Sequence, residues 1–242
     1  MIDIEHIYDL YLQTEEAKNK KKHETKKGIF RASSAGQCYK KQWYMQQNAE
    51  GKPLDPKSRR LLRLGTVVHR DLENAMILYN SNSNPDSKME IKPEYKVKID
   101  ELGITGTADL VVYDGEYEKA KVYDYKTAHS YKWKMMFGRD KFPKPSRNYE
   151  LQVGTYGLAV LNEYELNNDD IELIIVYYKK DDSLMRQVCV KNIWMYNAKD
   201  YWMDLRETLD EVDNSGDIPR ESTNSPIESW ECKYCQFETI CK

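Results

Sequence analysis

The chain has 242 residues, 40 % hydrophobic and 32 % charged, with a formal net charge of −3, a balance that fits a soluble globular protein with one large domain. No stretch approaches the ~18 uninterrupted apolar residues of a membrane span, and Met1–Leu12 lacks the basic start and apolar core of a secretory signal, so a cytoplasmic location is expected. The slightly negative total does not advertise a nucleic-acid binder, although local fields steer ligands whatever the global sum.

Ile4, Ile7, Tyr8, Tyr11 and Leu12 recur at helical spacing and predict a short amphipathic helix. A basic run follows (Lys18, Lys20, Lys21, Lys22, Lys26 and Lys27), which reads equally as a solvated helix end or a DNA-contacting patch. Ser33 or Ser34 would cap a second helix carrying Cys38, Trp43 and Tyr44. Asp55-Pro56 looks like an N-cap and first-turn proline for a long helix whose apolar face is Leu61, Leu64, Val68, Leu72, Ala75 and Tyr79. Ser81–Ser87 reads as a surface loop. Strands are predicted at Tyr95–Ile99, Ile104–Val112 and Lys121–Thr127, with a turn at Asp114-Gly115. A helix from about Arg147 to Asn162 comes next. Strands at Ile171–Tyr178 and Leu184–Val190 flank the Asp181-Asp182 turn, and a helix from about Tyr196 to Val212 leads to a cysteine-bearing tail. The order predicts an α/β (α+β) sheet domain.

Asp124 and Lys126 stand two apart on a predicted strand and so project to one side. Such a carboxylate suits a hard cation, and the ammonium can offset charge developing on a phosphate. An Asp-x-Lys triplet is more often an exposed ion pair, but Asp109 lies on the preceding strand and can meet Asp124 if the two strands pair. His69 and Glu73 share one helix face beside the core stripe, and Gln152 and Tyr156 share another. Between Asp124 and Gln152, the cations Lys132, Lys134, Arg139, Lys141, Lys144 and Arg147 alternate with Tyr131, Trp133, Phe137 and Phe142. That mixture reads either as a single-strand-binding surface or as a loop whose rings pack on the core.

Three of the five cysteines fall near the end as Cys232-x2-Cys235-x5-Cys241, and Cys38 lies far upstream. In a cytosolic chain this spacing speaks for metal or cluster binding over disulfides, with Zn²⁺ and an iron–sulfur cluster both open. Cys189, among apolar strand residues, is expected to be a buried thiol.

In order, Gly65-Thr66-Val67-Val68-His69 with Glu73, Gly106-Thr107-Ala108-Asp109, Asp124-Tyr125-Lys126 and Gln152-Val153-Gly154-Thr155-Tyr156 resemble the motifs of the RecB-like branch of the PD-(D/E)XK nucleases. Cys38 and the downstream trio resemble that branch's four-cysteine iron–sulfur members, most of all the stand-alone CRISPR-associated nucleases and their viral relatives. Ala108 replaces the proline of the superfamily's name, and Asp124 stands where many relatives have Glu. The resemblance implies a restriction-endonuclease-like mixed sheet over 55–190, with a cysteine-stapled helical part formed by 1–54 and 191–242. It implies Mg²⁺ or Mn²⁺ held by His69, Asp109, Asp124, Tyr125 (through its carbonyl) and Glu73, with Asp109, Asp124 and Lys126 catalytic. It implies a [4Fe–4S] cluster on Cys38, Cys232, Cys235 and Cys241. It also implies DNA, preferably single-stranded, met by Gln152, Tyr156, Lys132, Trp133, Lys134, Arg139 and Arg147. An integrase, helicase or recombinase is the expected kind of protein partner. The alternative expectation is a non-catalytic DNA-binding or adaptor protein on the same scaffold.

Overall fold

The computed structural model describes residues 2–22, 26–82, 88–138, 142–216, 219 and 231–241. Arg139, Lys141 and most of the loop expected at Ser81–Ser87 lie outside them. Along the chain come α1 (Ile4–Lys22), β1 (Phe30–Arg31), α2 (Tyr39–Gln46), α3 (Pro56–Ser81), β2 (Met89–Ile99), β3 (Ile104–Asp114) and β4 (Lys119–Ala128). They are followed by α4 (Ser130–Phe137), α5 (Arg147–Tyr164), β5 (Ile171–Lys179), β6 (Met185–Val190) and α6 (Ile193–Ser215).

The six strands form one mixed sheet. Asp114 sets the β3–β4 hairpin: its Oδ1 accepts the amides of Glu116 at 3.0 Å and Tyr117 at 3.3 Å, an Asx turn. β4 and β5 run parallel, so a crossover must join them, and α4 and α5 supply it. β2 pairs along β3 from Met89↔Asp114 to Ile99↔Ile104. β1 and β4 must therefore share the other edge of β3: β1 takes Ile104 and Thr105, and β4 begins at Leu110. In the interval, Gly106 admits the turn at Ala32–Ser34, since a Cβ there would sit 2.7 Å from the Ala32 Cβ. Asp109 closes that same interval.

The two sheet faces are unequal. Val111, Val122, Ile175 and Tyr177 pack with α5 and α6 in the main core, around Leu151, Val153 and Trp202. Each such aliphatic contributes roughly 1.5–3 kcal/mol by leaving water. The opposite face buries a smaller set among the described residues, Ile91, Leu110, Tyr125, Ile174 and Val176, with Val112 and Tyr123 beside them and Leu72 and Met76 of α3 laid against them. Among the described residues no helix is long and apolar enough to cross a membrane.

Several expectations need correction. The helix expected from Ser33 or Ser34 starts at Tyr39; the serines lie in a short 3-10 turn, and Cys38 is the N-cap. The first helix runs on to Lys22, into the first part of the basic run, and its apolar residues other than Leu12 face solvent. Ion pairs fasten it instead: Arg59 to Glu16, and Arg60 to Glu5 and Asp9. On α3 the stripe is turned: Leu61, Leu64 and Tyr79 are exposed, and His69, Leu72, Glu73 and Met76 are half-buried. Polar groups take part of this inner face, so the aliphatic stripe cannot all be covered. β2 extends back through Pro93, which an edge strand tolerates. β1 was too short, and α4 too mixed in character, to be read. Cys189 is exposed, because on the edge strand β6 only Val188 and Val190 turn inward.

α5 and α6 approach so closely at Gly154 that a Cβ there would lie 2.2 Å from the Trp194 carbonyl oxygen. Gly154→Ala is expected to destabilise the fold by about 1–3 kcal/mol in urea unfolding. This clash overrides the ~1 kcal/mol that alanine ordinarily gains over glycine in a helix.

Candidate active site

The β3–β4 pairing stops at Leu110↔Tyr123, so the next residues to face each other are Asp109 and Asp124. The β2–β3 pairing also skips a position, between Pro93↔Leu110 and Tyr95↔Ala108, and that position sets Glu94 against Asp109. Glu94 has a φ of 46°, the left-handed region a non-glycine residue seldom occupies. Three acids thus occupy one rung at which both ladders are interrupted. The amide of Tyr125, which no longer meets a β3 carbonyl, donates to Asp109 Oδ2 at 2.6 Å.

Asp124 is 1 % exposed and is held from the main-core side. Lys126 Nζ lies 2.9 Å from Asp124 Oδ1 and 2.7 Å from Oδ2, and donates to Gln152 Oε1 at 2.9 Å. Gln152 Nε2 donates to Asp124 Oδ1 at 3.2 Å and to the Tyr156 hydroxyl at 2.9 Å. Burial pushes the Asp124 carboxyl upward, and the charge of Asp109 adds to this, while Lys126 and His69 oppose it. Burial alone would lower the Lys126 ammonium, but Asp124 outweighs it and the net direction is up. Each member of the pair favours the charged form of the other.

From α3, His69 Nδ1 comes within 3.3 Å of Asp109 Oδ1, and its ring stands edge-on to Tyr125 with centroids 5.9 Å apart. Glu73, one turn on, is raised by burial, then by Glu94 and Asp109, with Arg70 in partial opposition. His69, Glu73, Glu94, Asp109, Tyr125 and Lys126 line one cavity of about 470 Å³. Arg70, Tyr149 and Lys180 line it too, and sequence reasoning missed them, as it missed Glu94. No motif marks these four; the packing of α3, β2, α5 and the β5 end brings them there.

Among the described residues no three His, Cys, Asp or Glu side chains have closed around a common ion position. The ligand set expected from sequence is therefore gathered but not assembled: Asp124 is covered by Lys126 and does not line the cavity that holds the others. The donor chemistry still fits a hard cation. Asp124 Oδ2 is buried and accepts no hydrogen bond in bonding geometry, although the Lys126 ammonium is 2.7 Å away. Asp109 Oδ1 faces an imidazole nitrogen. Carboxylate oxygens beside an imidazole are donors of the kind Mg²⁺ or Mn²⁺ takes.

The residues expected to touch DNA divide. Gln152 and Tyr156 are buried and brace the Asp124–Lys126 pair, so they are internal supports and not a surface. Trp133 is buried against Phe137, with Lys179 and Arg186 over its ring, because α4 turns Trp133 and Met136 inward. Lys132 lies 4.2 Å over the ring of Tyr149, while Lys134, Arg147, Tyr131 and Phe142 are exposed.

Cys38, Cys232, Cys235 and Cys241 line a second cavity of about 110 Å³, although no three of their sulfurs have closed on a common ion position. The tail is fastened beside α2: Lys52 N donates to Gln236 O at 2.7 Å, and the Tyr44 hydroxyl to Ile240 O at 2.9 Å. Tyr44 also packs on buried Phe237, centroids 5.1 Å apart. The Phe237 amide donates to Cys235 Sγ at 3.4 Å.

A mixed sheet between helices, with acids and a lysine at a broken rung, defines a restriction-endonuclease-like α/β fold. The chain belongs to the PD-(D/E)XK nuclease superfamily, whose sequence profile matches residues 75–242. His69, Glu73 and Cys38 lie before the matched segment. No curated protein sequence matches the chain. The crystal structure of SSO0001 is similar over 97 % of this chain and 96 % of that one, with a TM-score of 0.56 and 17 % identity, a likeness of fold. An alkaline exonuclease (LHK-Exo) from Laribacter hongkongensis aligns at a TM-score of 0.43 and 14 % identity, over 78 % of this chain and 93 % of that one. Its complex with dAMP aligns at 0.37, with the same identity and coverage. Overlaps this loose carry no functional argument.

Lys126→Ala strips a buried carboxylate of its counter-charge, and is expected to cost roughly 3–5 kcal/mol of stability at neutral pH. Because Asp124 is raised in the folded state, and further so without Lys126, the unfavourable charge disappears as the acid protonates. The deficit should therefore shrink as pH falls through the folded-state value and reopen as it rises. Urea titrations of both proteins in EDTA across pH check this.

Proposed function

We propose that this chain is a divalent-metal-dependent deoxyribonuclease, an exonuclease acting on single-stranded DNA or DNA ends. The reading is carried by one observation: Asp109, Asp124 and Lys126 converge where the β3–β4 ladder breaks, with His69 against Asp109. His69, Asp109, Asp124 and the Tyr125 carbonyl would hold the ion, with Glu73 alongside. The ion, when bound, supplies Lewis-acid polarisation of the phosphate and a more acidic water. Lys126, pinned by Gln152 and set 4.8 Å over the Tyr149 ring, presents a fixed positive charge for the phosphate. Tyr156 fixes Gln152 in turn, which keeps the lysine beside the cavity when its hold on Asp124 loosens. Single strands are favoured because Tyr131 and Phe142 stand exposed among Lys134, Lys144 and Arg147, offering rings for bases and cations for phosphates. A CRISPR-associated setting, with an integrase, helicase or recombinase as partner, rests on the sequence resemblance.

We further propose that the four cysteines hold a [4Fe–4S] cluster that staples the tail to α2. Their shared cavity and the amide bond to the Cys235 sulfur support this reading, since such bonds tune cluster sulfurs.

Asp109→Asn and Asp124→Asn are expected to cut Mn²⁺-dependent degradation of end-labelled single strands by at least about a hundredfold, with the helical circular-dichroism signal retained. Undiminished cleavage by either folded variant would sink the assignment. For the tail, Cys235→Ala should lose iron and sulfide together and lower the melting temperature. Stoichiometric zinc without iron in the unsubstituted protein, purified anaerobically, would replace the cluster with a zinc staple.

A further inference from the structure

Lys180 stands one residue past the last β4–β5 pair, Ala128↔Lys179, and its amide donates to the Ala128 carbonyl at 2.8 Å. Its backbone is thus pinned at the C-terminal ends of two parallel strands, the end at which open α/β sheets receive ligands. Lys126 leaves the same end of β4, and both lysines line the 470 Å³ cavity.

Their ammonium groups differ in what they meet. Lys126 is committed to Asp124 and Gln152. Lys180 Nζ donates to the Leu61 carbonyl at 3.2 Å, and no carboxylate among the described residues is within ion-pair reach of it. The adjacent acids are spoken for. Asp181 Oδ2 accepts the Ser130 amide at 2.6 Å and hydroxyl at 2.7 Å, and Asp182 pairs with Lys179 at 2.5 Å. Partial burial holds the Lys180 ammonium below the ordinary lysine value, with Tyr149 and Asp181 in partial opposition. A half-buried cation facing a neutral carbonyl is under-compensated, and an anion in the cavity would relieve it. The opposite part of the lining is acidic (Glu73, Glu94 and Asp109) and repels anions unless a cation intervenes.

We propose that Lys180 is a substrate-binding residue of this cavity, holding a backbone phosphate other than the one met by Asp109, Asp124 and Lys126. The proposal rests on nucleic acid as the occupant of the cavity. A strand carries phosphates at regular intervals, so a second fixed cation sets its register across the carboxylates without taking part in bond cleavage.

The test is binding, measured without turnover. Fluorescence anisotropy of a labelled single-stranded 12-mer with Ca²⁺, an oxygen-binding cation that offsets the acidic lining, in place of Mg²⁺ or Mn²⁺, over a salt series, compares the full chain with Lys180→Ala and Lys180→Arg. Loss of one phosphate contact should make the log–log salt slope shallower by about 0.7 in Lys180→Ala, and Lys180→Arg should restore it. A single methylphosphonate linkage, moved along the 12-mer, should weaken the unsubstituted protein at one position where Lys180→Ala is indifferent. An unchanged slope in folded Lys180→Ala, loss of affinity not rescued by Arg, or no binding by the unsubstituted protein overturns the proposal. Cleavage with Mn²⁺ is scored separately: a protein that binds with the Lys180-dependent slope but never cuts refutes the nuclease reading and leaves this one standing.

Discussion

A carboxylate 1 % exposed to solvent can stay charged only if something near it is positive, and Lys126 meets that need from two residues along the same strand. Much of the site's design follows from this pair. The strand's alternation sends both groups to the α5 side, so α5 must carry a polar residue at that point, and Gln152 fills the place with both ends of its amide. Tyr156 then closes the far side of Gln152. A polar network inside an apolar core is tolerable when its members satisfy one another. Here Asp124 Oδ2 has the Lys126 ammonium 2.7 Å away as its ion-pair partner and no further donor, so its charge rests on that lysine.

The second constraint is the edge of β3. Three strands compete for two edges, and the result is an interval in which β3 has β2 beside it but neither β1 nor β4. Asp109 ends that interval, and the Tyr125 amide turns to its carboxylate for a partner. Glu94, in a left-handed conformation opposite, breaks the remaining ladder at the same rung. Backbone irregularity of this kind costs stability and is maintained only where the surroundings impose it. α3 pays in a different way: its inner face is shared between Leu72 and Met76, which cover the sheet, and His69 and Glu73, which serve the cavity. The smaller core on that side is the physical consequence.

The motif residues are legible in the sequence because their spacing carries geometry. Asp124 and Lys126 at strand period, and Gln152 and Tyr156 one helical turn apart, could be assigned a common face from the chain alone. What spacing could not give was depth. Tyr156 and Trp133 look like surface candidates in a stretch rich in cations, yet both are buried, since a helix face is inside or outside according to what packs on it. The same limit hid Cys189, whose apolar neighbours suggested burial on a strand that proves to be an edge.

From the amino-acid order alone came the alternation of helices and strands, the facing acids with their lysine, and the grouping of the cysteines, all of them local or periodic properties. Tertiary structure alone decided that Glu94, Arg70, Tyr149 and Lys180 share one cavity with His69 and Asp109. It alone brought Cys38 to the tail trio and turned the stripe of α3 away from its expected face. The physical reason is the same in each case. Contacts between residues far apart in the chain depend on strand order and helix rotation, and these are set by the best burial available to the whole molecule, which no local pattern encodes.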